Sequence, residues 1–262
     1  MTTRRFWAAL IGAATALLLT APGASALTTV SATGADRGDG VYVGKARCPG
    51  DKRVVSGGFT MPDESEAVVN KAKGKRSWIV KGQDTSGPLE VFAYCSGRLE
   101  PSTASDRSGF SQSNDRGKAN ARCGHGKTAV SGGWKFDDLS GNQPVFKSFG
   151  RGGRSWRVHA FSDESERITA YAYCLRRDVK TRSKRGDPIP DEGADSTRVK
   201  CHRGDQLLSG GFNTKPKSDF SNDDGPDFFY SKSSRVGKRG WRAAAHNYSS
   251  VSGRTTVTAI CV

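Results

Sequence analysis

Past residue 26 the chain alternates short apolar runs with long polar stretches, and no stretch shows sustained helical spacing with caps. Three of the apolar runs lead into the same motif. Val54-Val55 runs into Ser56-Gly57-Gly58-Phe59, Ala129-Val130 into Ser131-Gly132-Gly133-Trp134, and Leu207-Leu208 into Ser209-Gly210-Gly211-Phe212. Each Ser-Gly-Gly starts eight residues after a cysteine, Cys48, Cys123 or Cys201. Further on, Leu89 to Cys95, Ile168 to Cys174 and Thr255 to Cys261 read as strands that become apolar on both faces, as in the interior of a sandwich or prism. A spacing kept three times while its surroundings drift predicts an all-β chain of three repeated units.

Glycines inside a buried strand mark a bulge or a close approach by another backbone. A phosphate-cradling loop would need a helix start after it. Thr60-Met61-Pro62 and Asn213-Thr214-Lys215-Pro216 offer none, so the motif is read as structural.

The expected layout is an N-terminal segment over 27–45, repeats over 46–97, 121–176 and 199–262, and polar connectors over 98–120 and 177–198. The connectors are rich in Ser, Asp, Gly, Lys and Arg and are predicted to be disordered or to wander over the surface. Units this short are near the lower limit for a self-sufficient core, which favours one pseudo-threefold body over three separate small β modules.

Ahead of these units, Arg4 and Arg5, an apolar run from Phe6 to Leu19 and Ala24-Ser25-Ala26 predict a secretory signal peptide over 1–26. The run is too short for a convincing membrane span, so a secreted, extracellular protein without membrane insertion is expected. Export makes disulfides the default for the six cysteines. Each unit holds one cysteine before its Ser-Gly-Gly and one at its end: Cys48 and Cys95, Cys123 and Cys174, Cys201 and Cys261. Pairing is then either within units or cyclic between them, such as Cys95 with Cys123. Within-unit pairing is expected, because each unit then carries its own staple.

Charge adds a partner class. The formal net charge is +15, two units of it from Arg4 and Arg5, which favours acidic glycan or cell-wall polymer and permits non-specific nucleic-acid binding. A basic turn precedes a tryptophan in every unit: Gly74-Lys75-Arg76-Ser77-Trp78, Gly153-Arg154-Ser155-Trp156 and Gly237-Lys238-Arg239-Gly240-Trp241. Rotationally related units would gather these turns at one end. Arg76, Arg154 and Arg239, with Lys75 and Lys238, are therefore the candidate ligand contacts. The tryptophans themselves are expected in the core in at least two units.

Acidic clusters occupy the middle of each unit: Asp63 and Glu64, Asp137 and Asp138, then Asp219, Asp223, Asp224 and Asp227. Such clusters bind calcium or sugar hydroxyls, or are solvated loops; the last one is off register for an EF-hand. No CxxC occurs, so neither a zinc site nor a cofactor is expected. His125, His159, His202 and His246 fall only in the second and third units, and no nucleophile–base or paired-carboxylate constellation is recognisable. No catalytic residue is assigned, and an enzyme is not expected.

The pattern of Cys, Ser-Gly-Gly-Phe, Ser-Trp and a terminal strand ending in Cys resembles a repeat common in secreted bacterial proteins. More remotely, the chain is similar to the vitelline membrane outer layer protein family. That resemblance implies a three-sheet β-prism of pseudo-threefold symmetry and a carbohydrate-related role; a β-trefoil is the other threefold arrangement. The combined expectation is a lectin-like, non-catalytic binder of anionic polysaccharide or cell-wall polymer. The alternative is a protein-binding inhibitor or effector acting through one variable loop.

Overall fold

The computed structural model describes residues 27–262 apart from 39, 63, 64, 84, 86, 111–114, 140, 152, 217–227 and 249–251. The expected signal peptide over 1–26, the Asp63–Glu64 pair and the acidic residues from Asp219 to Asp227 lie outside the described residues.

The described chain is all-β. Its strands are β1 (Thr28–Thr33), β2 (Ala35–Asp36), β3 (Tyr42–Arg47), β4 (Arg53–Thr60), β5 (Glu66–Lys73), β6 (Ser77–Gln83) and β7 (Glu90–Ser96). The second repeat supplies β8 (Ser102–Gly109), β9 (Asp115–Arg122), β10 (Thr128–Phe136), β11 (Val145–Arg151), β12 (Ser155–Ser162) and β13 (Arg167–Leu175). The third supplies β14 (Lys180–Ile189), β15 (Ala194–Lys200), β16 (Leu207–Pro216), β17 (Phe228–Val236), β18 (Gly240–Asn247) and β19 (Gly253–Cys261).

Three sheets form the body. Their strand orders are β1-β7-β4-β17-β18-β15, β2-β3-β6-β5-β10-β13-β8 and β14-β19-β16-β11-β12-β9. Every sheet thus joins half of one repeat to half of another, through the pairs β4–β17, β10–β5 and β16–β11. A repeat cannot complete a sheet by itself. This cyclic exchange makes one prism-like body, and separate modules and a trefoil are both set aside. The buried side chains of all three repeats accordingly form one continuous core.

The polar connectors are corrected by the same topology. Residues 98–120 contain β8 and most of β9, and 177–198 contain β14 and most of β15. The first repeat has the same opening strands, with β1 and most of β3 in the stretch set apart as an N-terminal segment. β8 and β14 are sheet edges, held by backbone pairing to β13 and β19 over eight residue pairs each. Edge strands need little side-chain burial and are protected from aggregation by charge, so their sequences look like loops.

Disulfides join the sheets at their corners. Cys48–Cys95 links the second sheet to the first, Cys123–Cys174 the third to the second, and Cys201–Cys261 the first to the third. Within-unit pairing is therefore the observed scheme. Closing loops of 47, 51 and 60 residues contributes on the order of 4 kcal/mol each in the chain-entropy model.

Each residue of Ser-Gly-Gly has a separate task. A bulge interrupts the ladder at Val54/Ser56, Ala129/Ser131 and Leu207/Ser209. It frees the carbonyls of Val130 and Leu208, which accept hydrogen bonds from the buried hydroxyls of Ser209 and Ser56, residues of other repeats. The first glycine leaves room for the tryptophan of its own repeat: a Cβ on Gly57, Gly132 or Gly210 would lie 2.1–2.2 Å from an indole carbon of Trp78, Trp156 or Trp241. The second admits a neighbouring repeat's backbone, since a Cβ on Gly58, Gly133 or Gly211 would meet the carbonyl of Ser233, Asn70 or Ser148 at 2.0–2.3 Å. Phe59, Trp134 and Phe212, which follow the motif, pack edge to face at 6.1 and 6.0 Å.

Candidate functional site

The β5–β6, β11–β12 and β17–β18 turns carry the predicted basic residues. In each, a backbone carbonyl of the turn accepts from the amide of its repeat's first cysteine: Cys48 donates to Arg76, Cys123 to Arg154 and Cys201 to Arg239. Because β4, β10 and β16 start beside these cysteines and pair antiparallel with β17, β5 and β11, the three turns lie at one end of the body. The side chains, however, do not behave alike. Arg76 and Arg154 are half-buried and donate from Nη2 to the carbonyls of Cys48 and Cys123, both at 3.1 Å. Lys75, Lys238 and Arg239 are exposed. Two of the three arginines thus secure the disulfide corners, and their Nε atoms are buried there as well. All three turn tryptophans are 1–2% exposed, and their indole N–H groups donate to Asn70, Ser148 and Ser233, each eight residues earlier.

A different concentration of charge appears on the broad faces. In the third sheet, strand register places Lys118, His159, Lys147, Asn213, Thr256 and Arg185 in one row across six strands. All six are half-buried or exposed. At about 4.8 Å per strand interval the row spans about 24 Å. Arg157 lies beside it, opposite Phe149, and Lys215 is opposite Arg254. Burial, followed by the like charges of Lys215, Arg116 and Lys118, holds the Lys147 ammonium below its usual range. Among the described residues, no carboxylate pairs with Lys118, Lys147 or Lys215.

The corresponding rows of the other sheets differ. In the second sheet the row is Val43, Lys81, Val69, Lys135, Thr169 and Arg107, and Arg107 is taken up by Asp137. In the first it is Ser196, Ala244, Lys232, Thr60, Glu90 and Thr33. Uncompensated positive charge therefore concentrates on the third sheet. Sequence reasoning passed over it because β9 lay in a presumed connector. The signal was present, since Arg116-Gly117-Lys118-Ala119-Asn120-Ala121-Arg122 alternates polar with small residues, the pattern of a half-buried strand.

Other candidates stay apart. Asp137 pairs with Arg107, and the Asp138 carboxylate accepts from the Leu139 amide at 2.7 Å, as in an ordinary polar loop. Three or more potential metal ligands are nowhere gathered among the described residues. His159 lies on β12 and His246 on β18, whereas His125 and His202 lie in the turns after Cys123 and Cys201. Compared with models of known protein families and with curated proteins, the chain matches none.

Proposed function

We propose that this is a secreted, non-catalytic, lectin-like protein that binds an anionic polysaccharide or cell-wall polymer. The observation that carries the reading is the cationic row of the third sheet. A row about 24 Å long suits an extended polyanion, and lysines without carboxylate partners have no ion pair to break before they bind. Aromatic Phe149 and the hydroxyl and amide of Thr256 and Asn213 add the mixed polar and apolar contacts that a sugar chain uses. The three disulfides fit the oxidising compartment that export implies.

Retention on insoluble cell-wall material at low and high salt tests the reading. The substitutions Lys118→Ala, Lys147→Ala and Lys215→Ala together should weaken low-salt binding roughly tenfold, as expected for three lost contacts of about 0.5 kcal/mol each. Lys75→Ala, Lys238→Ala and Arg239→Ala together should weaken it less. Equal retention of the first triple variant and the unaltered protein would overturn the assignment to this face.

A further inference from the structure

At the disulfide end, between the second sheet and the start of β4 in the first, lies a cleft of about 510 Å³, within the size range of small-ligand sites. Its wall is formed by Tyr171 and Tyr173 of β13, its floor includes Ala72 of β5, and Arg53, Lys75 and Glu100 are among its lining residues. The Tyr173 hydroxyl is anchored by accepting from the Ala72 amide at 2.6 Å. Tyr171 is half-buried, and Lys71 secures it, with Nζ 4.5 Å from the ring centroid and donating to the hydroxyl at 3.1 Å. Both aromatic walls are therefore fixed before any ligand arrives, which lowers the cost of ordering them.

Comparison of the three sheets shows that this cleft is not a by-product of the repeat. In the ladders, Tyr171 opposite Gly133 corresponds to Phe92 opposite Gly58 and Thr258 opposite Gly211. Tyr173 corresponds to Tyr94 and Ile260 in the same way. Ala72, opposite Trp78, corresponds to Arg235 opposite Trp241 and to Gly150 opposite Trp156. In the first sheet the Arg235 guanidinium is folded onto the carbonyls of Gly237 and Lys238, in the region that Ala72 leaves open in the second. In the third, Thr258 and Ile260 provide neither aromatic wall. Only the second sheet combines two tyrosines with a small floor residue.

We propose that this cleft binds one carboxylate-bearing sugar unit, its ring against Tyr171 and its carboxylate toward Arg53 and Lys75. The charge of the site supports an acidic ligand: two cations line it against one carboxylate. That carboxylate, Glu100, is 75% exposed and bridges Arg53 at 3.4 Å, so it forms a weak surface pair that an incoming carboxylate can replace. Glu100 and Thr103 then remain available to the sugar hydroxyls. An aromatic wall selects a sugar over a simple carboxylate, and the cations select an acidic sugar over a neutral one.

This inference rests on the acidic-glycan reading but uses a different surface, so the two can fail separately. Titration of the purified protein with glucuronate, glucose and acetate, followed by NMR chemical shifts, provides the test. Glucuronate should bind about tenfold more tightly than either of the others, the difference one good charged contact makes. Ala72→Arg fills the floor as Arg235 does in the first sheet, and should abolish glucuronate binding while leaving the melting temperature unchanged. Tyr171→Ala should weaken it in the same direction. The Lys118, Lys147 and Lys215 triple variant should bind glucuronate normally while its retention on the polymer is weakened. Equal shifts with all three probes, or undiminished glucuronate binding by the Ala72→Arg variant, would overturn the cleft assignment. Either result would leave the reading of the third sheet intact.

Discussion

The centre of the body and its faces treat the threefold repeat in opposite ways. At the centre, three bulges, three tryptophans and three pairs of glycines make the same contacts, with differences of about 0.1 to 0.3 Å between copies. On the faces, one register row carries Lys118, His159, Lys147 and Arg185 in the third sheet, but a single cation and Glu90 in the first. The central contacts hold because every sheet is completed by a second repeat, so a change in one copy must be matched by its neighbours. Face residues answer only to solvent and are free to diverge. Shared positions therefore report folding, and divergent ones are where binding is to be sought.

The sharpest way to break this contrast is at the first glycine. Gly132→Ala would put a Cβ 2.1–2.3 Å from three atoms of the Trp156 indole, whose ring is held by its hydrogen bond to Ser148 at 3.0 Å. The ring cannot withdraw without losing that bond, and a loss of about 3 kcal/mol is expected, at the upper end for overpacking. On the third sheet's face, Lys118→Ala should change stability by less than about 0.5 kcal/mol. Chemical denaturation of both variants measures the difference. Comparable losses would mean that face and centre are not energetically distinct.

A smaller effect is expected at the serine. Ser209→Ala removes the donor to the Val130 carbonyl, and Ser56→Ala removes the donor to the Leu208 carbonyl. Each leaves a carbonyl at a bulge without its side-chain partner, at a cost of about 1–3 kcal/mol by denaturation. Because the bonds run between different repeats, the two losses should be similar. A loss confined to one variant would show that the serines do not act as equivalent ties.

How much of this was legible beforehand follows the same division. Cys48, Ser56-Gly57-Gly58 and Trp78 could be aligned with their counterparts because buried contacts restrict residue type, and the all-β class, the within-unit disulfides and the bulge followed from them. The exchange of half-sheets between repeats was hidden, since β4 pairs with β17 over only two residues and no side-chain pattern records it. Edge strands β8 and β14 were hidden because backbone pairing does not demand apolar residues. Arg76 and Arg154 could not be told from exposed turn arginines, as their bonds to the Cys48 and Cys123 carbonyls depend on a chain reversal that composition does not reveal. The cleft by Tyr171 needed the register of three sheets, because what distinguishes it is the contrast of Ala72 with Arg235.

The mildest test concerns a residue of one repeat only. Eight positions before the final cysteine of each unit stand Gly87, Glu166 and Gly253, so a carboxyl has been added to the second repeat alone. Partial burial, with the negative charges of Asp138 and Asp163 adding to it, pushes the Glu166 carboxyl up to about 7, against the opposing hydrogen bond from Ser162 at 2.8 Å. The folded protein therefore holds this proton more tightly than the unfolded chain, in which the group has its ordinary value of 4.5. Its contribution to stability is fully present below about pH 4.5 and is lost as the pH rises through about 7. Glu166→Gln keeps an acceptor for Ser162 but removes the titration. The variant should lose the part of the stability decline that lies between these pH values and, because the carboxyl is only half-buried and screened by solvent, melt no more than about 2 °C higher at alkaline pH. Melting curves from pH 4 to 8 on both proteins decide it. An unchanged slope in the variant would show that this carboxyl is as indifferent to the fold as the lysines of the third sheet's face.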